Sequence, residues 1–470
     1  MAATRTERDS MGDFEVPEDA YYGANTMRAA VNFPISDLRL PRSFLHALGL
    51  IKQQSAQVNS DLGLLDKALA GAIVRAAQDV IDGKLDSQFV VDVFQTGSGT
   101  STNMNINEVL SNRAIELLGG VKGSRTPVHP NDHVNLGQSS NDVIPSAIQV
   151  AAAMDIQGHL VPALQTLEDS LRAKADEFWP VVKTGRTHMQ DATPIRLGQE
   201  FLGYAGQVER ARRRCSEALG ALIELPLGGT AVGTGVGTHP EFAERVIARL
   251  AELTGIPFRE TDNHFAGQST LDSVVAASGA LKAVAIALYK IANDIRLLAF
   301  GPRAGIAEIQ IPAVQPGSSI MPGKVNPVIS ESVTMVAAQV IGNDATISFC
   351  GAAGSLLELN VMMPVAAYDL LQSIALLATS ARNLAVQSVD GIVATSNGPD
   401  LVERGLMITT ALAPRIGYDA AGAIAKEALA SGRTIREVAR ERTSLSDEEL
   451  AELLDPEAMT RPGLGTATGG

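Results

Sequence analysis

Five short segments hold most of the groups in this chain that suit work on a small anion. They read QTGSGTSTNMN (95–105), VHPNDHVNLGQSSND (128–142), KTGRTHMQD (183–191), GGTAVGTG (228–235) and GSSIMPGKVNP (317–327). Together they supply Thr100, Ser139, Ser140, Asn141, Thr187, His188, Ser318, Ser319, Lys324 and Asn326. Hydroxyls, amides and an ammonium are the donors that grip carboxylate oxygens. An imidazole, with an ordinary pKa near ~6.5, is a proton handler at neutral pH. Taken singly, each Gly- and Pro-punctuated segment reads as a turn, and a lone His as a hydrogen-bonded structural residue. It is their shared content that points to a site. GSSIMPGKVNP reads as a mobile loop dense in donors.

Other chemistries fit less well. His129 and His133 are four apart in HPNDH, but Pro130 lies between them and the HExxH arrangement is absent, so no metal site is expected. GGTAVGTG lacks the GK[ST] ending and the preceding βαβ pattern of a phosphate loop. No GxSxG nucleophile elbow occurs.

The elements between these loops must position them. At 470 residues the chain is long enough for about three domains. Hydrophobic residues make up 45% but aromatics only 4%, so small aliphatic side chains do the burying, which suits helix-on-helix packing. Leu160, Leu164, Leu167 and Leu171 form one helical stripe; Val274, Leu281, Leu288, Ile291 and Ile295 form another. Residues 43–58, 331–349 and 361–388 also read as helices, and the whole predicts a mainly α bundle. GRTIREVARERT and SLSDEELAELL predict short amphipathic helices in a small C-terminal domain, and the closing GLGTATGG reads as frayed. The expected boundaries are 1–140, 141–395 and 396–470.

The balance of 38 basic against 52 acidic residues, net −14, gives no basic footprint for nucleic acid. It also repels an anionic substrate at long range, so a site for one needs local cations. Cys215 and Cys350 offer neither a disulfide framework nor metal-ligand spacing, and read as free thiols in a reducing compartment. The start lacks an apolar signal segment. Apolar runs such as 283–289 are too short for a membrane span and are flanked by Lys282 and Lys290. The expectation is a soluble cytoplasmic protein with no membrane or nucleic-acid partner.

GSSIMPGKVNP resembles the signature loop of the fumarase/aspartase superfamily, and the likeness runs from MGDFEVPEDAYYGANTMRAAVNFPIS (11–36) to the DPEAMTRPG tail. Within it, QTGSGT (95–100), SSND (139–142) and GGTAVGTG resemble class II fumarases more than aspartases. The resemblance implies a three-domain, mainly α fold whose central bundle of long helices is completed in a homotetramer, with each site built from loops of three subunits. It implies reversible hydration of fumarate to L-malate with neither metal nor organic cofactor. Aspartate ammonia-lyase is the alternative activity, and a non-catalytic relative a third reading.

By the same resemblance Ser318 is the base that takes the Cβ proton, helped by loop N–H groups and Lys324, with Gly317 and Gly323 as hinges, against the simpler reading of both as ordinary turn glycines. His188 pairs with Glu331 to handle the water. Ser98, Thr100, Ser139, Ser140, Asn141, Thr187, Ser319, Lys324 and Asn326 bind substrate. A second anion site draws on Arg125, His129, Asn131 and Asp132, against the simpler reading of HPND as a capped turn. Three positions depart from the pattern: Gly137 in place of a serine, Gly237 in place of an asparagine, and Asn25 in place of a glutamine. The first two leave fine substrate specificity open.

Overall fold

The computed structural model describes residues 3–463. The frayed reading of the last residues therefore falls, beyond Gly463, outside the described residues. The chain is mainly helical. Its longest helices are Leu197–Leu222, Asp272–Leu298, Val328–Ala353 and Met363–Gln387. The strands are short and make five two-stranded pairs among the described residues.

The helices expected at 43–58, 331–349 and 361–388 are present as Arg42–Asp61, Val328–Ala353 and Met363–Gln387. Both apolar stripes read from the sequence are buried, Leu160, Leu164, Leu167 and Leu171 in one and Val274, Leu281, Leu288, Ile291 and Ile295 in the other. Asp272–Leu298 is long and apolar enough to cross a bilayer by length and composition alone. Its lysines are nonetheless ion-paired, Lys282 to Asp344 at 2.5 Å and Lys290 to Asp294. Cys215 and Cys350 are free and buried, and burial pushes their thiols up to about 12 and about 11.

Two compact units account for the contacts. The first comprises residues 1–162, 212–285 and 336–378. In it the Arg42–Asp61 helix packs against Lys67–Ile81, Ser140–Asp155 and Phe242–Thr254. Phe44, Leu48, Ile51, Ile73 and Ile106 are completely buried in its core. The Ser140–Asp155 helix starts where Ser139 and Asp142 form a reciprocal capping box, which satisfies backbone N–H groups that a helix start leaves unpaired.

The second unit comprises residues 163–211, 286–335 and 379–470. It holds the antiparallel hairpin Val182–Thr187 with Gln190–Arg196, irregular between Thr184 and Arg186. Ile309–Gln310 pairs antiparallel with Val393–Ala394. The helices expected near the C-terminus are Ile435–Arg442 and Asp447–Leu453, each begun by a capping box. Ile435, Val438 and Leu450 share a small apolar cluster with Ile408, Leu412 and Ile424.

Candidate active site

The nine candidates in the first unit fall in two groups. In the first group, QTGSGT reaches the Thr100–Leu117 helix through Gly99, whose left-handed backbone (φ +72°) serves as the N-cap. At Gly97 a Cβ would stand 1.8 Å from the Val361 carbonyl, so only glycine allows this approach. The turn places Ser98 Oγ 2.8 Å from Thr100 Oγ1, which lies 2.8 Å from Ser140 Oγ. Ser140 Oγ donates to Asn141 Oδ1 at 3.3 Å, and Asn141 Nδ2 donates to the Ala231 carbonyl at 2.8 Å. Ser139 Oγ accepts the Asn141 N–H at 3.2 Å. Five predicted residues thus form one connected polar row, and GGTAVGTG is tied to it.

Beneath the row lies a centre that the sequence reading missed. Asp142 is fully buried and accepts from the backbone N–H of Ser139 at 2.9 Å and of Gly228 and Thr230 at 3.0 Å each. Lys52 is fully buried beside it. A lysine inside the apolar run LGLIKQQSA was the available signal, because a buried ammonium is costly unless it is partnered.

The second group is HPND. His129 Nδ1 accepts the N–H of Asn131 at 3.3 Å and of Asp132 at 3.1 Å, capping a short π-helical turn. His133 Nδ1 accepts the His129 N–H at 2.8 Å. The two imidazoles are therefore used on backbone, and the capped-turn reading describes the local geometry. Asp132 Oδ2 also lies 3.2 Å from His129 Nδ1, which would suit a protonated ring. Burial, Arg125 and His133 hold His129 below its ordinary pKa against the pull of Asp132, and an Nδ1 that accepts two N–H groups agrees with the neutral ring. Arg125 and Asn131 line a cavity of about 550 Å³, together with Arg8, Asn25 and Met104.

Gly137 and Gly237 both take left-handed backbone (φ +71° and +79°). A Cβ at Gly137 would meet Thr238 Oγ1 at 2.9 Å, whereas Gly237 faces open space. These two departures from the usual pattern are thus neighbours in the fold, around Thr238. Asn25 donates its backbone N–H to Glu108 at 3.0 Å.

The second unit holds the remaining seven candidates. His188 and Met189 are the turn between Thr187 and Gln190, both left-handed (φ 56° and 59°), as a two-residue hairpin turn demands. The imidazole stands exposed at the hairpin tip. Behind it the strand is anchored by a buried ionic cluster. Arg186 donates to both Glu308 oxygens, at 3.0 and 2.8 Å. Lys183 Nζ lies 3.0 Å from Glu308 and 2.7 Å from Glu200. Glu308 directly precedes the short strand Ile309–Gln310 that leads towards the signature loop.

The signature loop is closed on itself. The Gly317 N–H donates to the Lys324 carbonyl at 2.8 Å, and Asn326 Nδ2 donates to the Gly317 carbonyl. A Cβ at Gly317 would meet the Lys324 carbonyl at 2.3 Å, so close approach accounts for this glycine. Gly323 is left-handed (φ +81°). Ser318 Oγ accepts the N–H of Met321 at 2.9 Å and of Ile320 at 3.2 Å. Two backbone donors aimed at a serine oxygen favour its deprotonated form. Ser319 and Lys324 are exposed. Glu331 lies in the first turn of Val328–Ala353. Among the described residues, no hydrogen bond or ion pair joins His188 to Glu331 within one chain.

Known proteins resemble this chain along almost its whole length. A family model described as a lyase matches residues 12–342, and one described as the fumarase C C-terminus matches residues 408–461. A class II fumarate hydratase of Methylorubrum extorquens is 52% identical over 460 residues, covering 98% of this chain and 97% of that protein. One from Halobacterium salinarum is 54% identical over 461 residues, covering 98% of each. The crystal structure of a class II fumarase from Schistosoma mansoni superposes with a TM-score of 0.95 at 39% identity, over 97% of this chain and 99% of the other. With a family model over most of its length and relatives at this identity, the chain belongs to the class II fumarase family of the fumarase/aspartase superfamily.

Proposed function

We propose that this chain catalyses the reversible hydration of fumarate to L-malate, a carbon–oxygen lyase reaction. The observation that carries the reading is the Ser318 hydroxyl oxygen, held by the Met321 and Ile320 N–H groups inside the family's signature loop. Class II fumarate hydratase is also the name borne by relatives 52% and 54% identical to this chain.

Dehydration removes a weakly acidic proton next to a carboxylate and builds up an aci-carboxylate dianion, so the main task is electrostatic. Ser318 takes the Cβ proton as an alkoxide that the two N–H groups and the Lys324 ammonium stabilise. Lys324, Asn326 and Ser319 grip one carboxylate. Ser98, Thr100, Ser139, Ser140 and Asn141 bind the other carboxylate and the hydroxyl. Thr187 and His188 orient the water at Cα, and His188, tuned by Glu331 of another subunit, gives the departing hydroxyl the proton it needs to leave as water. The chemistry uses these side chains alone, without metal or cofactor.

The complete enzyme is a cytoplasmic homotetramer, with each site shared between subunits and each chain divided into three domains. Large apolar side chains left exposed on the long helices support that assembly, including Ile286 (53%), Met335 (67%), Phe349 (64%) and Val386 (53%). Arg125, Asn131, His129 and Asp132 form a second anion site, for which the cavity beside Arg125 offers room.

The test follows the ultraviolet absorbance of the fumarate double bond with purified protein and no added metal. L-Malate should raise it and L-aspartate should not. A rise with aspartate, together with ammonia release, would make the chain an aspartate ammonia-lyase.

A further inference from the structure

The polar row of the first unit has a shortage of charge. Ser98, Thr100, Ser139, Ser140 and Asn141 are all neutral, yet the ligand proposed for them is a dianion and the chain carries a net charge of −14. Lys52, a cation with no exposed surface, is joined to the turn that leads into the row. Its Nζ donates to Asn135 Oδ1 at 2.9 Å and to Gln138 Oε1 at 3.0 Å. Asn135 Oδ1 also accepts from Asn103 Nδ2 and Asn107 Nδ2, each at 3.2 Å, on the helix that Thr100 begins. Asn135 Nδ2 donates to the Gln138 carbonyl at 3.0 Å, closing the turn that delivers Ser139. Asp142 then fixes Ser139 to the 228–230 loop. Two buried ionic groups therefore hold three of the site loops as one piece.

We infer that Lys52 is a positioning residue for substrate binding: through Asn135 and Gln138 it sets the pose of Ser139–Asn141, and its buried charge supplies the positive potential that draws a carboxylate onto neutral donors. This rests on the fumarase reading above. A full charge inside a poorly solvated centre acts over a longer range than one at the surface. Asp142 offsets part of it, but three backbone N–H groups share that carboxylate's charge. Substituting an uncharged side chain would therefore be felt at the row even though Lys52 itself lies beneath it.

The same centre gives the inference a signature in pH. Burial pulls the Lys52 ammonium down to about 7, opposed by its attraction to Asp142 on the neighbouring helix. Asp142 is the charged group that acts on it; the side chains bonded to it, Asn135 and Gln138, are neutral amides. Asp142 is itself raised by burial, while three backbone N–H groups and Lys52 pull it down. The cation is present at about pH 6 and largely lost at about pH 8.5, so dianion affinity should fall across that range.

The experiment measures KM and kcat for L-malate between about pH 6 and pH 9, with thermal midpoint and oligomeric state, for wild type, Lys52→Met and Gln138→Glu. Wild-type KM should rise on the order of tenfold with pH. Lys52→Met should show a KM on the order of tenfold above wild type at pH 6, flat with pH, and a smaller change in kcat. Gln138→Glu places a carboxylate against the ammonium and should move the inflection to higher pH. A wild-type KM in Lys52→Met, or an unmoved inflection in Gln138→Glu, overturns the inference while leaving the fumarase reading intact. If Lys52→Met does not fold, Gln138→Glu decides alone. Wild-type protein inert towards malate would overturn the fumarase reading itself, and this inference with it.

Discussion

Ser318 Oγ accepts the backbone N–H of Met321 at 2.9 Å, within a loop whose two ends are joined by the Gly317 to Lys324 hydrogen bond. The hydroxyl is thus held by its own loop before any substrate arrives. Ser318→Ala should lower kcat by about a thousandfold, the scale of a lost proton-transfer group, while KM and oligomeric state stay near wild type. Fumarate absorbance and analytical ultracentrifugation read the two. Near-normal turnover would leave the hydroxyl as a loop-ordering group only.

His188 sits where the chain must turn left-handed, a conformation that asparagine tolerates best among residues with a side chain. His188→Asn should therefore keep the hairpin and the thermal midpoint, yet lower kcat by about a hundredfold. Steady-state kinetics beside calorimetry separates these effects. An unaffected rate would make His188 a turn residue.

Glu308 is the buried carboxylate shared by Lys183 and Arg186. Glu308→Gln leaves two cations facing a neutral amide, and breaking a buried pair in this way costs about 3 kcal/mol. The midpoint of urea unfolding should fall accordingly. No fall would mean that Glu200 alone suffices for Lys183.

Burial lifts the Asp369 carboxyl from 3.8 to about 6. The folded chain keeps this proton over a range in which the unfolded chain has lost it. Stability should therefore fall as pH rises from about 4 to about 6, and then level off. Asp369→Asn removes that dependence. Because the side chain is only half-buried, the gain at neutral pH should be modest, about 1 kcal/mol. Thermal midpoints at pH 4 and pH 7 test it: the advantage of the variant should appear at pH 7 only.

The parts of the fold legible in sequence were those with a strong period. The Leu160–Leu171 and Val274–Ile295 stripes are buried because 3.6-residue spacing leaves one face for the core. The loops were legible from their content, and in the first unit the structure joins five of their residues into one row. Asp142 and Glu308 were not legible, because a charged residue in sequence looks solvent-facing until packing shows otherwise; Lys52 left one trace, its place inside an apolar run. The missing side chain of Gly317 makes room for a carbonyl, which only the folded loop reveals.

The row Ser98, Thr100, Ser140 takes its direction from one end. Ser140 has a single O–H, and it is spent on the Asn141 amide oxygen. The Ser140 oxygen is then free to accept from Thr100, whose own oxygen accepts from Ser98. If Asn141 Oδ1 took another donor, the Ser140 O–H could rotate to Thr100 and the whole row could follow. A change of partner at Asn141 can therefore be passed to Ser98 by rotation of O–H bonds, without moving a heavy atom.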